Sequence, residues 1–98
     1  MTLQKDPEGN ERHTLYKYVD FTGQRVLEIG CGEGRLTWQY AKRARRTIGV
    51  DLDRDSLRVA LFDKPSNLKD KAHFSCANTQ NLPFSKETFD IAILAWSL

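Results

Sequence analysis

Residues 26–34, Val-Leu-Glu-Ile-Gly-Cys-Gly-Glu-Gly, constrain the fold more than any other stretch, because an apolar run passes directly into three alternating glycines. Side chains are missing at Gly30, Gly32 and Gly34, which leaves main chain bare for a ligand to lie against or for a tight strand-to-helix turn. Helical spacing resumes with Leu36, Tyr40 and Ala41, and Lys42, Arg43, Arg45 and Arg46 supply the positive charge that suits a helix C-terminus. The unit reads strand, glycine turn, helix. Among nucleotide-type sites built this way, a dinucleotide fingerprint requires Gly-x-Gly-x-x-Gly, and Arg35 stands where its third glycine belongs. A phosphate loop requires a following Gly-Lys-Ser/Thr, and none is present.

Further elements follow at short intervals. Residues 46–51, Arg-Thr-Ile-Gly-Val-Asp, form a β-branched strand ending in a carboxylate. Asp53 then suits a helix cap, Asp55 a first-turn charge, and Leu57, Ala60 and Leu61 an inward face. Residues 72–76 alternate so that Phe74 and Cys76 share a face, and residues 89–96 are a nearly unbroken apolar run suited to a parallel strand covered on both sides. The expected arrangement is a helix over 10–21, strand 25–29, helix 34–44, strand 47–51, helix 54–62, strand 72–76, a loop over 77–88 and strand 90–96. Right-handed crossovers build the order 3-2-1 with both intervening helices on one face.

The string Glu28-Ile-Gly30-Cys-Gly32-Glu-Gly34 resembles the first motif of class I S-adenosylmethionine-dependent methyltransferases, of the small-molecule, methyltransferase domain 11-like type. The resemblance extends over residues 25–98 and implies an α/β, Rossmann-like fold in which the fourth strand lies beside the first, giving a parallel sheet of order 3-2-1-4 with helices mainly on one face. It implies S-adenosylmethionine as cofactor, held at Glu28, Gly30, Cys31, Gly32 and Gly34, with Cys31 as a small residue against the ligand. Asp51 is implied to accept hydrogen bonds from the ribose hydroxyls, and Leu52 is placed to lie against the adenine, a position equally consistent with ordinary packing. Residues 78–84, Asn-Thr-Gln-Asn-Leu-Pro-Phe, are similar to the family's Asp-Ala-x-x-Leu-Pro-Phe segment. Asn78 replaces the acid that accepts from the adenine amino group, and the backbone of Thr79 reads the ring. An amide carbonyl accepts the same bond without charge; Asn78 is also suited to starting a turn. Trp96 stands where such a sheet opens its crevice, a position equally consistent with core packing.

The chain stops at Leu98, where the family continues through further strands. A single domain over 1–98 is therefore expected to be the N-terminal, cofactor-binding part of a truncated fold, with residues 1–9 mobile. Strand 90–96 is expected to be a bare apolar edge, which favours self-association or a missing C-terminal half docking through residues 89–98. A net charge of +2 gives no reason to expect nucleic acid as partner, and the Lys42–Arg46 cluster reads as a solvated helix end. No signal peptide or membrane-length apolar run is visible, so we expect a cytoplasmic protein that does not meet a membrane. Cys31, Cys76, His13 and His73 form no metal pattern, and the two cysteine-bearing strands lie too far apart for a disulfide. Two functions fit: an enzyme transferring a methyl group to a small molecule, with the catalytic residues unknown, or a module that binds the methyl donor without turnover.

Overall fold

Runs rich in Val, Ile, Leu and Ala lose little by burial on both faces, and three of them become parallel strands. The computed structural model describes residues 2–6, 19–78 and 88–95. They form β1 (Thr2–Asp6), β2 (Arg25–Ile29), α1 (Thr37–Tyr40), β3 (Arg46–Asp51), α2 (Arg54–Asp63), a 3-10 turn (Ser66–Leu68), β4 (Ala72–Cys76) and β5 (Ile91–Ala95). The sheet order is β1-β5-β2-β3-β4, with every pairing parallel. Its last four strands are the expected order 3-2-1-4 read from the other side.

Register decides which residues meet. Val26 lies beside Thr47 and Ile91, and Glu28 beside Gly49 and Ile93. On that face Val26, Ile91, Ile93 and Ala95 pack with Phe21, Tyr40 and Ala44. The opposite face carries Leu27, Ile48, Val50 and Ala92, buried together with Phe89. α2 packs on β3 and β4 and buries Leu57 and Ala60. Leu61, expected inward, is exposed instead, as are Val59 and Phe62.

Two expectations about the sheet are corrected. Residues 2–6 are not a mobile start: they pair with β5 from Thr2↔Ile91 to Asp6↔Ala95. The backbone groups that β5 would present as an edge are thereby hydrogen-bonded, so β5 is not an edge strand and association through that edge loses its basis. The second face of the sheet is covered, since Leu27, Val50 and Ala92 are buried. The expected helix over 34–44 contracts to the single turn of α1. Its surroundings mix helical patterns: Trp38 N–H donates to the Gly34 carbonyl, four residues back, whereas Gln39 and Arg43 donate to Leu36 and Tyr40, three back. Most of the expected helix over 10–21 lies outside the described residues, and Val19–Phe21 are non-helical.

At the N-terminal ends of β2 and β5, Arg25 and Asp90 lock the register. The Arg25 backbone N–H and Nε donate to Asp90 Oδ2 at 2.9 and 3.2 Å, Nη2 donates to Oδ1 at 3.0 Å, and the Asp90 N–H returns a bond to the Arg25 carbonyl. These bonds hold the Asp90 carboxyl down at about 2. The central contact of the sheet is apolar, and Ile93 is fully buried within it. Truncating Ile93→Ala is expected to cost about 2–5 kcal/mol, read as a lowered urea midpoint at unchanged slope.

Candidate functional site

The glycine loop is shaped by bonds to the end of β3. Gly30 and Cys31 both donate their N–H to the Val50 carbonyl, at 2.8 and 3.1 Å, and Gly32 N–H donates to Asp51 Oδ2 at 2.8 Å. Gly34 N–H closes the turn on the Cys31 carbonyl at 3.0 Å. Following the β3 register in this way requires left-handed backbone at Gly30, Gly32 and Gly34, with φ of 78°, 55° and 86°.

The glycines are not equivalent. Among the described residues, a Cβ built on Gly32 meets nothing within 4 Å, so main chain is bare of them there. A Cβ on Gly34 would lie 2.7 Å from the Trp38 ring, so the atom missing at Gly34 makes room for an indole of the same chain. At Gly49 a Cβ would lie 2.8 Å from Cys31 Sγ and 2.9 Å from Phe74. Cys31 is thus a buried residue turned onto β3, with its thiol occupying the space that Gly49 leaves. Burial, reinforced by the charges of Glu28 and Asp51, pushes that thiol well up and keeps it protonated. Cys76 is also a free thiol.

Asp51 stands at the centre of the cluster. Its Oδ2 takes the Gly32 N–H, its Oδ1 takes the Asp53 N–H at 2.9 Å, and its carbonyl accepts from Ala77 N–H at 3.1 Å. An ionised carboxylate has about four acceptor positions, so the two side-chain bonds leave capacity for further donors. Leu52 follows with 64% of its surface exposed. The Asp51–Ala77 bond draws Asn78 to the same end of the sheet, beyond the C-termini of β3 and β4. Asp53 caps α2 through bonds from Asp55 N–H, Ser56 N–H and Ser56 Oγ. Thr79 and Trp96 lie outside the described residues.

Glu28 takes a different place from the one its motif suggests. The carboxyl is fully buried beneath α1, where Oε1 accepts from Thr37 Oγ1 at 2.8 Å and from Tyr40 OH at 2.5 Å. Among the described residues its Oε2 has no hydrogen-bond partner. Burial raises the Glu28 carboxyl to about 7, against the opposing pull of the Tyr40 and Thr37 bonds. Burial, with Glu28 beside it, likewise pushes the Tyr40 phenol up. The sequence held a signal for this cluster: Glu28 sits between Leu27 and Ile29 in an apolar strand, and Thr37 and Tyr40 are spaced to share a helix face. A charged residue in such a strand needs hydroxyl partners, and α1 carries them.

The arrangement fits a nucleoside-bearing ligand laid on bare main chain at Gly32, with the Asp51 carboxylate as acceptor and Leu52 as an apolar surface. Among the described residues no group of three or more His, Cys, Asp or Glu side chains could hold a metal ion.

Residues 26–98 match the family model described as a methyltransferase domain. Among curated proteins, methyltransferase GfsG of Streptomyces halstedii is 33% identical over 88 residues, covering 85% of this chain and 32% of that protein. An uncharacterized RNA methyltransferase, tlr0942, of Thermosynechococcus vestitus is 32% identical over 83 residues, covering 83% of this chain and 18% of that protein. Among solved structures, an S-adenosylmethionine-dependent methyltransferase from Mesorhizobium loti superposes with a TM-score of 0.71 at 23% identity, covering 89% of this chain and 39% of that chain. The chain spans about a third of the length of the curated relatives it matches.

Two measurements follow from this geometry. Gly32→Ala should cost roughly 1–2 kcal/mol for its left-handed backbone alone, and Gly34→Ala should cost more because the Trp38 ring must also move; paired urea titrations read the difference. For Glu28, a folded-state value near 7 against 4.5 unfolded means the folded state holds the proton longer. Its contribution is full below pH 4.5 and is lost as pH rises through about 7. Stability of the parent should therefore fall by on the order of 3 kcal/mol between pH 5 and 8, relative to Glu28→Gln, which has no such titration.

Proposed function

The chain belongs to the methyltransferase domain family, whose methyl donor is S-adenosylmethionine, and on that premise we propose that it holds the donor for methyl transfer to a small-molecule acceptor. The observation that carries the reading is the pairing of bare main chain at Gly32 with the Asp51 carboxylate, two features fixed to each other by a 2.8 Å hydrogen bond. Bare main chain at Gly32 accommodates close approach, Asp51 accepts from ribose hydroxyls, Leu52 covers one side of the adenine, and Asn78 accepts from its amino group. Thr79 and Trp96 belong to the same proposal on the strength of their motif positions alone.

When bound, S-adenosylmethionine supplies a methyl group already activated by its sulfonium. What remains for the chain is to bind, orient and exclude water. Its buried groups are suited to staying out of the chemistry: the Cys31 thiol is held protonated, so it does not compete as a nucleophile.

A small molecule is favoured over RNA by the distribution of charge. Lys42, Arg43 and Arg45 precede β3 and Arg46 opens it, whereas Asp51 closes it. At about 3.3 Å per residue, the basic cluster lies roughly 17 Å from the acidic end. A cytoplasmic location accords with two free thiols. The second reading is a donor-binding module without turnover. Calorimetric binding of S-adenosylmethionine without methyl transfer to a panel of small acceptors would favour it, and salt-sensitive RNA binding would contradict the choice of acceptor.

Asp51→Ala is expected to weaken donor binding by about 1.5–3 kcal/mol, since a charged acceptor is lost. Calorimetry should read this as a Kd raised roughly 10- to 150-fold, and an unchanged Kd would remove Asp51 from the ribose.

A further inference from the structure

The clasp beneath the glycine loop is more than a packing contact. Glu28 lies two residues before Gly30, at the entry to the loop, and its Oε1 takes both hydroxyls of α1, the helical turn at the exit. One carboxyl oxygen therefore ties the strand that enters the loop to the turn that leaves it. Tyr40 is held in turn by stacking on Phe21, with ring centroids 4.5 Å apart and planes 21° from parallel.

We propose that Glu28 is a positioning residue for the methyl donor: with its proton on, the carboxyl clasps α1 to the end of β2 and keeps the glycine loop in its binding shape, and loss of the proton releases the clasp. The inference rests on the reading of this loop as the S-adenosylmethionine site.

Burial favours the neutral form, and the two hydroxyl bonds to Oε1, which favour the anion, only partly oppose it. A protonated carboxyl puts its hydrogen on Oε2, leaving Oε1 as the acceptor that Thr37 and Tyr40 both use. An ionised one would place a second bare anionic oxygen where no described donor meets it. Among the described residues, the groups around it offer no cation. From α1 come the Thr37 hydroxyl and the Tyr40 phenol, from the loop the Cys31 thiol, and from neighbouring strands Gly49 and the apolar Ile93. Asp51, the other charge that bears on Cys31, is itself negative. A desolvated, uncompensated carboxylate is relieved by admitting water, and parting β2 from α1 would admit it. That movement displaces both ends of the loop.

The magnitude follows from the fraction of protein in the neutral form. With the carboxyl at about 7, that fraction is about 0.9 at pH 6 and about 0.1 at pH 8, so the Kd for the donor should rise about tenfold across this interval. The ligand's own amino group also titrates near pH 8. The quantity to measure is therefore the ratio of the Kd of the parent to that of Glu28→Gln, which has the shape of the neutral acid and no proton to lose.

Calorimetry with S-adenosylmethionine on the 98-residue chain, run from pH 6 to pH 8, provides the test. We expect the ratio to climb about tenfold, and an identical pH profile in the two proteins overturns the proposal. Should Glu28→Gln fail to fold, Tyr40→Phe serves in its place. It deletes a bond that lowers the Glu28 value, so the midpoint of the binding profile should move to higher pH, an effect that lost packing alone would not produce; an unmoved midpoint is contrary. Binding at every pH with one constant Kd defeats this inference and leaves the cofactor site intact. Absence of binding at every pH defeats both.

Discussion

The site depends on one constraint: the amides of Gly30, Cys31 and Gly32 all turn towards the end of β3, two to the Val50 carbonyl and one to the Asp51 side chain. Ordinary strand geometry would carry the chain straight on past Ile29. Bending it onto its neighbour demands left-handed backbone, which explains glycine at Gly30 and Gly32 before any ligand is considered. The same bend fixes Asp51, whose two oxygens are each pinned by a backbone N–H. Loop and acceptor are thus positioned by one set of bonds, and parallel pairing of β2 with β3 and β5 is what brings them into range.

Beneath this surface lies a second layer of side chains. Glu28, Thr37 and Tyr40 join strand to helical turn, Cys31 fills the space over Gly49, and Trp38 lies over Gly34 and meets Phe74 edge-on at 5.6 Å. Cys31 and Trp38 each fill a space that a nearby glycine leaves. A rigid support of this kind is what a short loop needs if bare main chain is to hold its shape without a long helix behind it. Because α1 is a single turn, its dipole offers little to an anion, and orientation falls to side chains and to the loop itself.

Much of the fold was legible. The strands at 25–29 and 72–76 and the helix start at Arg54 were readable from apolar runs and from the Asp53 cap, since local chemistry decides them. β1 was not: Thr-Leu-Gln-Lys-Asp has no apolar run, and it is a strand because β5 presents backbone groups for it to pair with. α1 was read as too long because helical spacing says nothing of the bonds to residues three back that break up its flanks. In the site, Asp51 and the glycines were evident from spacing, whereas the inward turn of Glu28 and Cys31 required knowing which strand neighbours β2. A motif identifies positions; register decides which of them face a ligand and which support it.

Main chain at Gly30–Gly34, facing Asp51 at the end of β3, is the proposed berth for the adenosyl group, and amide NMR during titration with S-adenosylmethionine tests it most directly. The account predicts that the largest shifts fall on residues 30–34 and 51–53, with little change at Arg25 and Arg46 at the far end of the same strands. Shifts confined to the far end, or none at saturating ligand, would contradict it.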